Sequence, residues 1–392
     1  MRVLLVLGYS LPTQQALWEE VSRRDVDLHV AYTLDIPQSG EVGPPEFGTR
    51  HELAGVRVRG DRLTWMGYRG LSRLIKELRP DLVHVLNEPW SVVVLQALHA
   101  RARHVVTHGC ENLWDQGGPL EYRARRHVTR RNLRRTSGFV SWNSEGVTWA
   151  RRRGLPPPSP AIVLCAELPR LDHFNHPERR RAAGRERWGF DQEFVFGYVG
   201  RLVSEKGLDW LLDSWRAANL PDHARLVFVG GGPMEAAIRF AAAADARIRL
   251  IGPVPLGQVP TVMASLDALI LPSLTTRDWR EQYGRVITEA MASGVPVIAS
   301  DSGAIPEVVG DAGIIVGERS TAELAAELRR VSLDQALHRS LAAAGVARAQ
   351  TTFSPALGAD RLLGLWAAVA EDIGTVTHTA GNARSTSAGE EL

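Results

Sequence analysis

The stretch Glu281-Gln282-Tyr283-Gly284-Arg285-Val286-Ile287-Thr288-Glu289-Ala290-Met291-Ala292-Ser293-Gly294-Val295-Pro296-Val297-Ile298-Ala299-Ser300 decides how this chain is read. Two carboxylates eight residues apart flank a glycine at the start of a helical segment, and a buried β-branched run follows directly. If Gly284 opens the helix, Glu281 stands in the loop before it and Glu289 lies more than one turn inside. One carboxylate can then meet a sugar hydroxyl and the other a ribose, with the positive helix N-terminus aimed at phosphates between them. A solvated helix with two unrelated glutamates has the same spacing.

Outward from this stretch, short β-branched runs punctuated by Gly or Pro recur along the chain. They are Val3–Leu7, Leu28–Tyr32, Leu82–Leu86, His104–Thr107, Phe139–Trp142 and Ala161–Leu164, then Phe194–Val199, Leu226–Val229, Ile248–Ile251, Ala268–Leu271, Val295–Ala299 and Gly313–Val316. Runs of this kind between helical stretches are strands buried on both faces of a parallel sheet, so the expected class is α/β with two doubly wound, Rossmann-like sheets. Pro169, Pro177 and the charged run Glu178-Arg179-Arg180-Arg181 interrupt the pattern. The expected division is a first domain over 1–166, a linker over 167–188 and a second domain over 189–352. A C-terminal helix over 353–373 should pack back toward the first domain. The tail 374–392, rich in Gly, Ser, Thr and Ala without an apolar period, reads as disordered.

Composition narrows the class. The 392 residues are 44% hydrophobic and 23% charged, with a formal net charge of +2, which suits a soluble globular protein and gives no general reason to bind a polyanion. Cys110 and Cys165 are the only cysteines. Without Cys-x-x-Cys or a neighbouring His at ligand spacing they predict neither a zinc site nor a disulfide framework, and they suit a reducing cytoplasm. The run Val3–Leu7 is too short for a signal core, and no stretch approaches the roughly 18 uninterrupted apolar residues of a membrane span. Lys76 and Lys206 are the only lysines among 46 basic side chains, which draws attention to Lys206.

Ligands of open α/β sheets bind beyond the carboxyl ends of the strands. There the segment Gly200-Arg201-Leu202-Val203-Ser204-Glu205-Lys206-Gly207 puts two cations and two glycines on one strand-to-helix loop. Such a loop suits a diphosphate: glycines let the backbone approach, and Arg201 and Lys206 can neutralise charge on a departing nucleotide. Solvated Arg and Lys on an ordinary loop are the alternative. The turns Gly230-Gly231-Gly232-Pro233 and Gly252-Pro253-Val254 fall on the same sheet edge.

In these elements, and in the continuation Asp301-Ser302-Gly303-Ala304-Ile305-Pro306-Glu307, the chain resembles the large family-four group of retaining GT-B glycosyltransferases, the glycosyl transferases group 1. The match is specific over residues 194–317 and diffuse before them. The resemblance implies two facing Rossmann-like domains and retaining transfer of a hexose-type sugar from a UDP-sugar or GDP-mannose to a hydroxyl of a glycan, lipid or small molecule. It implies no metal and no cofactor beyond the nucleotide-sugar co-substrate. By the same resemblance Arg201, Lys206 and Gly284 bind the donor diphosphate, Glu281 the sugar and Glu289 the ribose. His108, in Val105-Val106-Thr107-His108-Gly109, matches the histidine such enzymes hold near the donor sugar, which makes His108 and Glu281 the catalytic candidates.

Two segments depart from the pattern. Gly8-Tyr9-Ser10-Leu11-Pro12 lacks the paired glycines common in the family, and Leu164-Cys165-Ala166-Glu167-Leu168 stands where many relatives have an Asn-Gly turn. On the acceptor side, Asn87-Glu88-Pro89-Trp90 and Glu111-Asn112-Leu113-Trp114-Asp115 mix carboxylates with tryptophan as carbohydrate sites do, which nominates Glu88, Trp90, Glu111 and Trp114. Structural tryptophans give the same pattern.

Other readings are weaker. Asp25-Val26-Asp27 has the spacing of a metal-binding carboxylate pair but precedes a strand instead of ending one. Arg123 to Arg153 holds ten Arg against Glu145 alone, a segment suited to solvated helix faces or to peripheral contact of a cytoplasmic protein with an anionic membrane. It has no interleaved aromatics, so a nucleic-acid partner is not expected. A dinucleotide oxidoreductase would need Gly-x-Gly-x-x-Gly after a first strand, which neither half has. A sugar-nucleotide epimerase on the same scaffold, and a non-catalytic nucleotide-binding module, remain as alternatives.

Overall fold

The computed structural model describes residues 1–7, 12–35, 44–57, 65–110, 119–174 and 177–371. Glu111, Trp114, most of the Gly8–Pro12 loop and the tail 374–392 lie outside the described residues.

The first half builds a seven-stranded parallel sheet from β1 (Arg2–Leu7), β2 (Asp27–Tyr32), β3 (Thr49–Glu52), β6 (Leu82–Leu86), β7 (Val105–Gly109), β8 (Gly138–Ser141) and β9 (Ala161–Val163), ordered β3-β2-β1-β6-β7-β8-β9. A short antiparallel pair, β4 (Gly55–Arg57) with β5 (Met66–Tyr68), sits beside it. The second half builds a six-stranded sheet from β10 (Phe194–Val199), β11 (Ala224–Val229), β12 (Ile248–Gly252), β13 (Ala268–Leu271), β14 (Val297–Ser300) and β15 (Ile314–Val316), ordered β12-β11-β10-β13-β14-β15. Each predicted run lies on one of these strands. The strands that apolar periodicity missed are β3, whose Thr-Arg-His-Glu sequence occupies an exposed edge, and the β4–β5 pair.

Chain order fixes where ligands can go. In the second sheet β10 pairs with β11 on one side and β13 on the other, so the connections leaving β10 and β13 diverge and open a crevice at their carboxyl ends. The loop from Gly200 and the loop from Pro272 are those two connections. Strand residues Val195, Phe196, Ala268, Leu269 and Ile298 are fully buried, so the sheet is a rigid base for both loops.

The charged run after Pro177 is not an open connection. It lies in a helix, Pro177–Trp188, whose Arg181 and Arg185 reach Asp267 at 2.6 and 3.1 Å, and whose Gly184 lies against the helix Val259–Ser265. The last described helix, Pro355–Glu371, returns to the first domain. There Trp366 Nε1–H donates to His84 Nδ1 at 3.1 Å and Arg361 donates to the Val163 carbonyl at 2.8 Å.

Candidate active site

The loop after β10 is set by its glycines and by Tyr198, whose hydroxyl donates to the Arg201 carbonyl at 2.6 Å. Gly207 takes a left-handed backbone with φ of 69°, and a Cβ there would stand 1.9 Å from the Pro272 carbonyl oxygen, so only glycine lets this loop close against the one after β13. The closure carries Lys206 to Glu281. Lys206 Nζ donates to Glu281 Oε2 at 2.5 Å, and Ser273 Oγ donates to the same oxygen at 2.9 Å. Both charged side chains are almost buried, at 13% and 10% exposure. Lys206 Nζ also lies 4.6 Å from the centre of the Trp279 ring, on its face. Arg201 is different: its side chain is 68% exposed and its nearest carboxylate, Glu205, is 3.9 Å away.

The Glu281 backbone is fixed from the loop after β14. Ala304 N–H donates to the Glu281 carbonyl at 3.0 Å. Gly303, with φ of 55°, approaches so closely that a Cβ would be 2.1 Å from that oxygen. Thr275, at the start of the arch leading to Trp279, is tied to Glu318 and Ser302.

Gly284 is the left-handed N-cap of the helix Arg285–Ala292, so Glu281 precedes the helix and Glu289 is its fifth residue. Arg285 opens the helix and reaches Glu289 Oε1 at 3.1 Å and Glu167 Oε2 at 3.0 Å. Burial pushes the Glu289 carboxyl above the usual carboxylate range, with Arg285 opposing and Glu167 reinforcing the shift. Glu289 lines a cavity of about 220 Å³ between the domains, together with Thr13, Leu168, Arg170, Leu256 and Arg285.

On the first domain, His108 stands at the carboxyl end of β7. Its Nε2–H donates to the Leu164 carbonyl at 3.2 Å, and its ring stacks on His84 at 5.7 Å. Complete burial pushes its pKa down to about 3, so the ring is neutral near pH 7 and Nδ1 is the lone-pair nitrogen, without a hydrogen-bond partner among the described residues. Glu88 and Trp90 follow β6. Glu88 Oε1 accepts from the Cys110 amide at 2.8 Å, tying the ends of β6 and β7 together, while the Arg125 guanidinium covers the Trp90 ring at 3.7 Å. Asp27 lies at the opposite, amino end of the sheet, bonded to Arg2 at 2.6 Å.

The two domains meet around the Glu281 loop. Asn143 Nδ2 donates to the Gln282 carbonyl at 2.9 Å, Arg280 pairs with Glu145 at 3.1 Å, and the Ser144 amide donates to Glu307 at 2.9 Å. The structure thus brings Lys206 and Glu281 into direct contact and sets Glu289 one helical turn deeper. His108 sits on the facing domain, with no contact to the Lys206–Glu281 pair. Ser273, Trp279, Arg285 and Glu167 escaped the sequence reading. Ser273 could have been found by its place just beyond a strand end and Arg285 by its spacing of four from Glu289 on the helix; Trp279 and Glu167 are visible only through contacts across the sequence.

The family model described as Glycosyl transferases group 1 matches residues 193–334, and that described as Glycosyl transferase 4-like domain matches residues 12–166. A GDP-mannose-dependent alpha-(1-6)-phosphatidylinositol monomannoside mannosyltransferase of Mycobacterium tuberculosis is 32% identical over 368 residues, covering 88% of this chain and 92% of its own length. A 2-deoxystreptamine glucosyltransferase of Streptomyces kanamyceticus is 36% identical over 200 residues, and there the match spans 45% of this chain and 50% of the relative. Among solved structures, Anabaena HepE in complex with UDP superposes with a TM-score of 0.71 at 18% identity, covering 94% of this chain and all of that one. Two parallel-sheet domains with these neighbours are the GT-B fold. With the fold, both family models and a relative matched over nearly its whole length in agreement, the chain belongs to the group 1 glycosyltransferases.

Proposed function

We propose that this protein is a retaining glycosyltransferase that moves a hexose-type sugar from a nucleotide diphosphate sugar, a UDP-sugar or GDP-mannose, to a hydroxyl of a glycan, lipid or small-molecule acceptor. The observation that carries the proposal is the Lys206–Glu281 pair, buried at the carboxyl ends of β10 and β13 where the second domain faces the first. A cation held there can take up charge as the sugar–phosphate bond breaks with its electron pair on the diphosphate oxygen. Arg201, exposed on the same loop, adds a second positive group at the mouth. The acceptor oxygen bonds to the anomeric carbon on the face the diphosphate leaves, and its proton passes to the departing diphosphate. Glu281 holds the donor sugar, Glu289 the ribose, and neutral His108 presents a ring nitrogen from the opposite domain. The cations supply the electrostatics, so no resident metal enters this scheme.

Screening UDP, GDP, ADP and TDP by thermal shift identifies the donor class, since the true product raises the melting temperature by mass action. Proton NMR of the first-formed product with the matching sugar nucleotide then reads the anomer. A product of inverted configuration, or conversion of the sugar nucleotide without any acceptor, contradicts the proposal; the second result points to an epimerase.

A membrane-borne acceptor has a separate observation in its favour. Arg126, Arg130, Arg131 and Arg152 are exposed on the helices Pro119–Leu133 and Ser144–Arg153 of the first domain, and Arg134 is exposed in the turn after the first of them. Among the described residues no helix is long and apolar enough to cross a membrane, so contact would be peripheral. Co-sedimentation with phosphatidylglycerol vesicles that is unchanged when these arginines become glutamine would exclude it.

A further inference from the structure

We propose that Glu167 is a positioning residue for the donor ribose: by taking the hydrogen bond of Arg285 from the first-domain side, it keeps the Glu289 carboxylate open to the ribose hydroxyls. The proposal rests on the assignment of Glu289 to the ribose made above. Glu167 belongs to the segment that departs from the family's Asn-Gly turn, and it is separated from Arg285 by 118 residues. Its side chain is 11% exposed and that of Glu289 12%, so both carboxylates are largely withdrawn from water around one guanidinium.

The geometry makes the division of labour specific. Arg285 gives Nη1 to Glu167 Oε2 at 3.0 Å and presents Nε to Glu289 Oε1 at 3.1 Å. The hydrogen bond goes to Glu167, whereas the contact with Glu289 is an ion pair in which Nε forms no hydrogen bond, so the acceptor capacity of Glu289 stays available. A guanidinium released from Glu167 would turn its planar fork onto Glu289 and occupy both oxygens, the preferred bidentate arrangement of this pair. The acceptor capacity that a ribose diol needs would then be lost while the charge of the site stayed in place. Because Glu167 follows β9 and Arg285 opens a helix of the second domain, the same contact ties ribose recognition to the seating of the two domains.

The test compares UDP and GDP with their 2′,3′-dideoxy counterparts by calorimetry, alongside donor kinetics, for the wild type, Glu167→Ala, Glu167→Gln and Glu289→Gln. The wild type should prefer the ribose form by about tenfold, the value of one hydrogen bond to a charged group. Glu167→Ala should lose most of that preference and raise the donor KM with kcat nearly kept. Glu167→Gln, which still accepts from Arg285, should retain the preference. If the alanine variant fails to fold, Glu167→Asp, one carbon too short to reach Arg285, carries the same expectation. Full ribose preference in Glu167→Ala or Glu167→Asp, with the preference lost in Glu289→Gln, overturns the role of Glu167 and leaves the ribose assignment standing. A wild type that binds both forms equally overturns the ribose assignment itself.

Discussion

Lys206 and Glu281 are 75 residues apart in sequence and 2.5 Å apart in space, and the carboxylate is further bound by the Ser273 hydroxyl. The pair is neutral as a unit, which is how two charges can be kept so far from water without a ligand. A diphosphate entering the crevice would compete with Glu281 for the lysine, and a sugar would compete with the lysine for Glu281. On the proposed function, the site is held in shape by the same groups that would bind the donor.

Replacing Lys206 with alanine should reduce turnover by orders of magnitude and also destabilise the protein by about 3 kcal/mol, because Glu281 is left charged and buried. Arg201→Ala should reduce turnover while stability changes by less than about 0.5 kcal/mol, since its side chain is 68% exposed. Melting curves and donor turnover for the two variants check both statements. Equal thermal stability of Lys206→Ala and wild type would mean the pair does not hold the site.

If Glu281 holds the donor sugar as proposed, Glu281→Gln should depress kcat, since alignment at the reacting sugar governs the rate. Glu289→Gln should raise the donor KM with less effect on kcat, a ribose contact being equal in ground and transition states. Steady-state kinetics on the two variants would show a reversed pattern if the roles are exchanged.

Gly303→Ala should lower turnover on the order of 100-fold, because its Cβ would meet the Glu281 carbonyl at 2.1 Å and displace the Glu281 loop. Gly364→Ala, at a position with nothing within 4 Å, serves as the control and should behave as wild type. Retained activity in the Gly303 variant would show that the loop has slack the structure lacks.

The buried histidines set an acid limit on stability. The folded pKa of His108 is pushed down to about 3 by burial and that of His84 is lowered by the same cause, whereas unfolded histidine titrates near pH 6.5. Between about pH 6.5 and 3 the unfolded chain binds the extra protons, so stability is full above that window and falls as the pH drops through it. Urea midpoints measured at pH 7, 6 and 5 should decline for the wild type and decline less for His108→Asn. Parallel slopes would show that His108 is hydrated.

Turnover should survive a chelator if, as proposed, Lys206 and Arg201 supply the positive charge at the leaving group. Activity abolished by EDTA and restored by magnesium or manganese would require a metal ligand set that the scheme omits.

Much of this was legible in the sequence, for reasons that are local. Gly284 as N-cap settles by itself that Glu281 precedes the helix and Glu289 lies inside it, and the β-branched runs mark both parallel sheets. What was not legible depends on partners distant in sequence. Lys206 meets Glu281 only because β10 and β13 are neighbours, an adjacency no periodicity reveals. Arg185 falls in the segment expected to be a linker, yet it is 9% exposed because Asp267 and the Ser265, Asp191 and Glu193 carbonyls receive it. On the acceptor side, Glu88 and Trp90 have the composition of a sugar site, and their contacts with Cys110 and Arg125 were not legible in that composition.

The return of the helix Pro355–Glu371 to the first domain means that the chain passes between the two halves twice. Trp366 closes the core over His84 and Trp18, so a fragment ending at residue 166 would expose that aromatic floor to water. Exchange of domains between relatives is constrained accordingly. A chimera spliced once near residue 167 would seat a foreign tryptophan helix on the native floor. One spliced twice, near 167 and again near 354, exchanges the second domain as a cassette and leaves the native lid on its own floor.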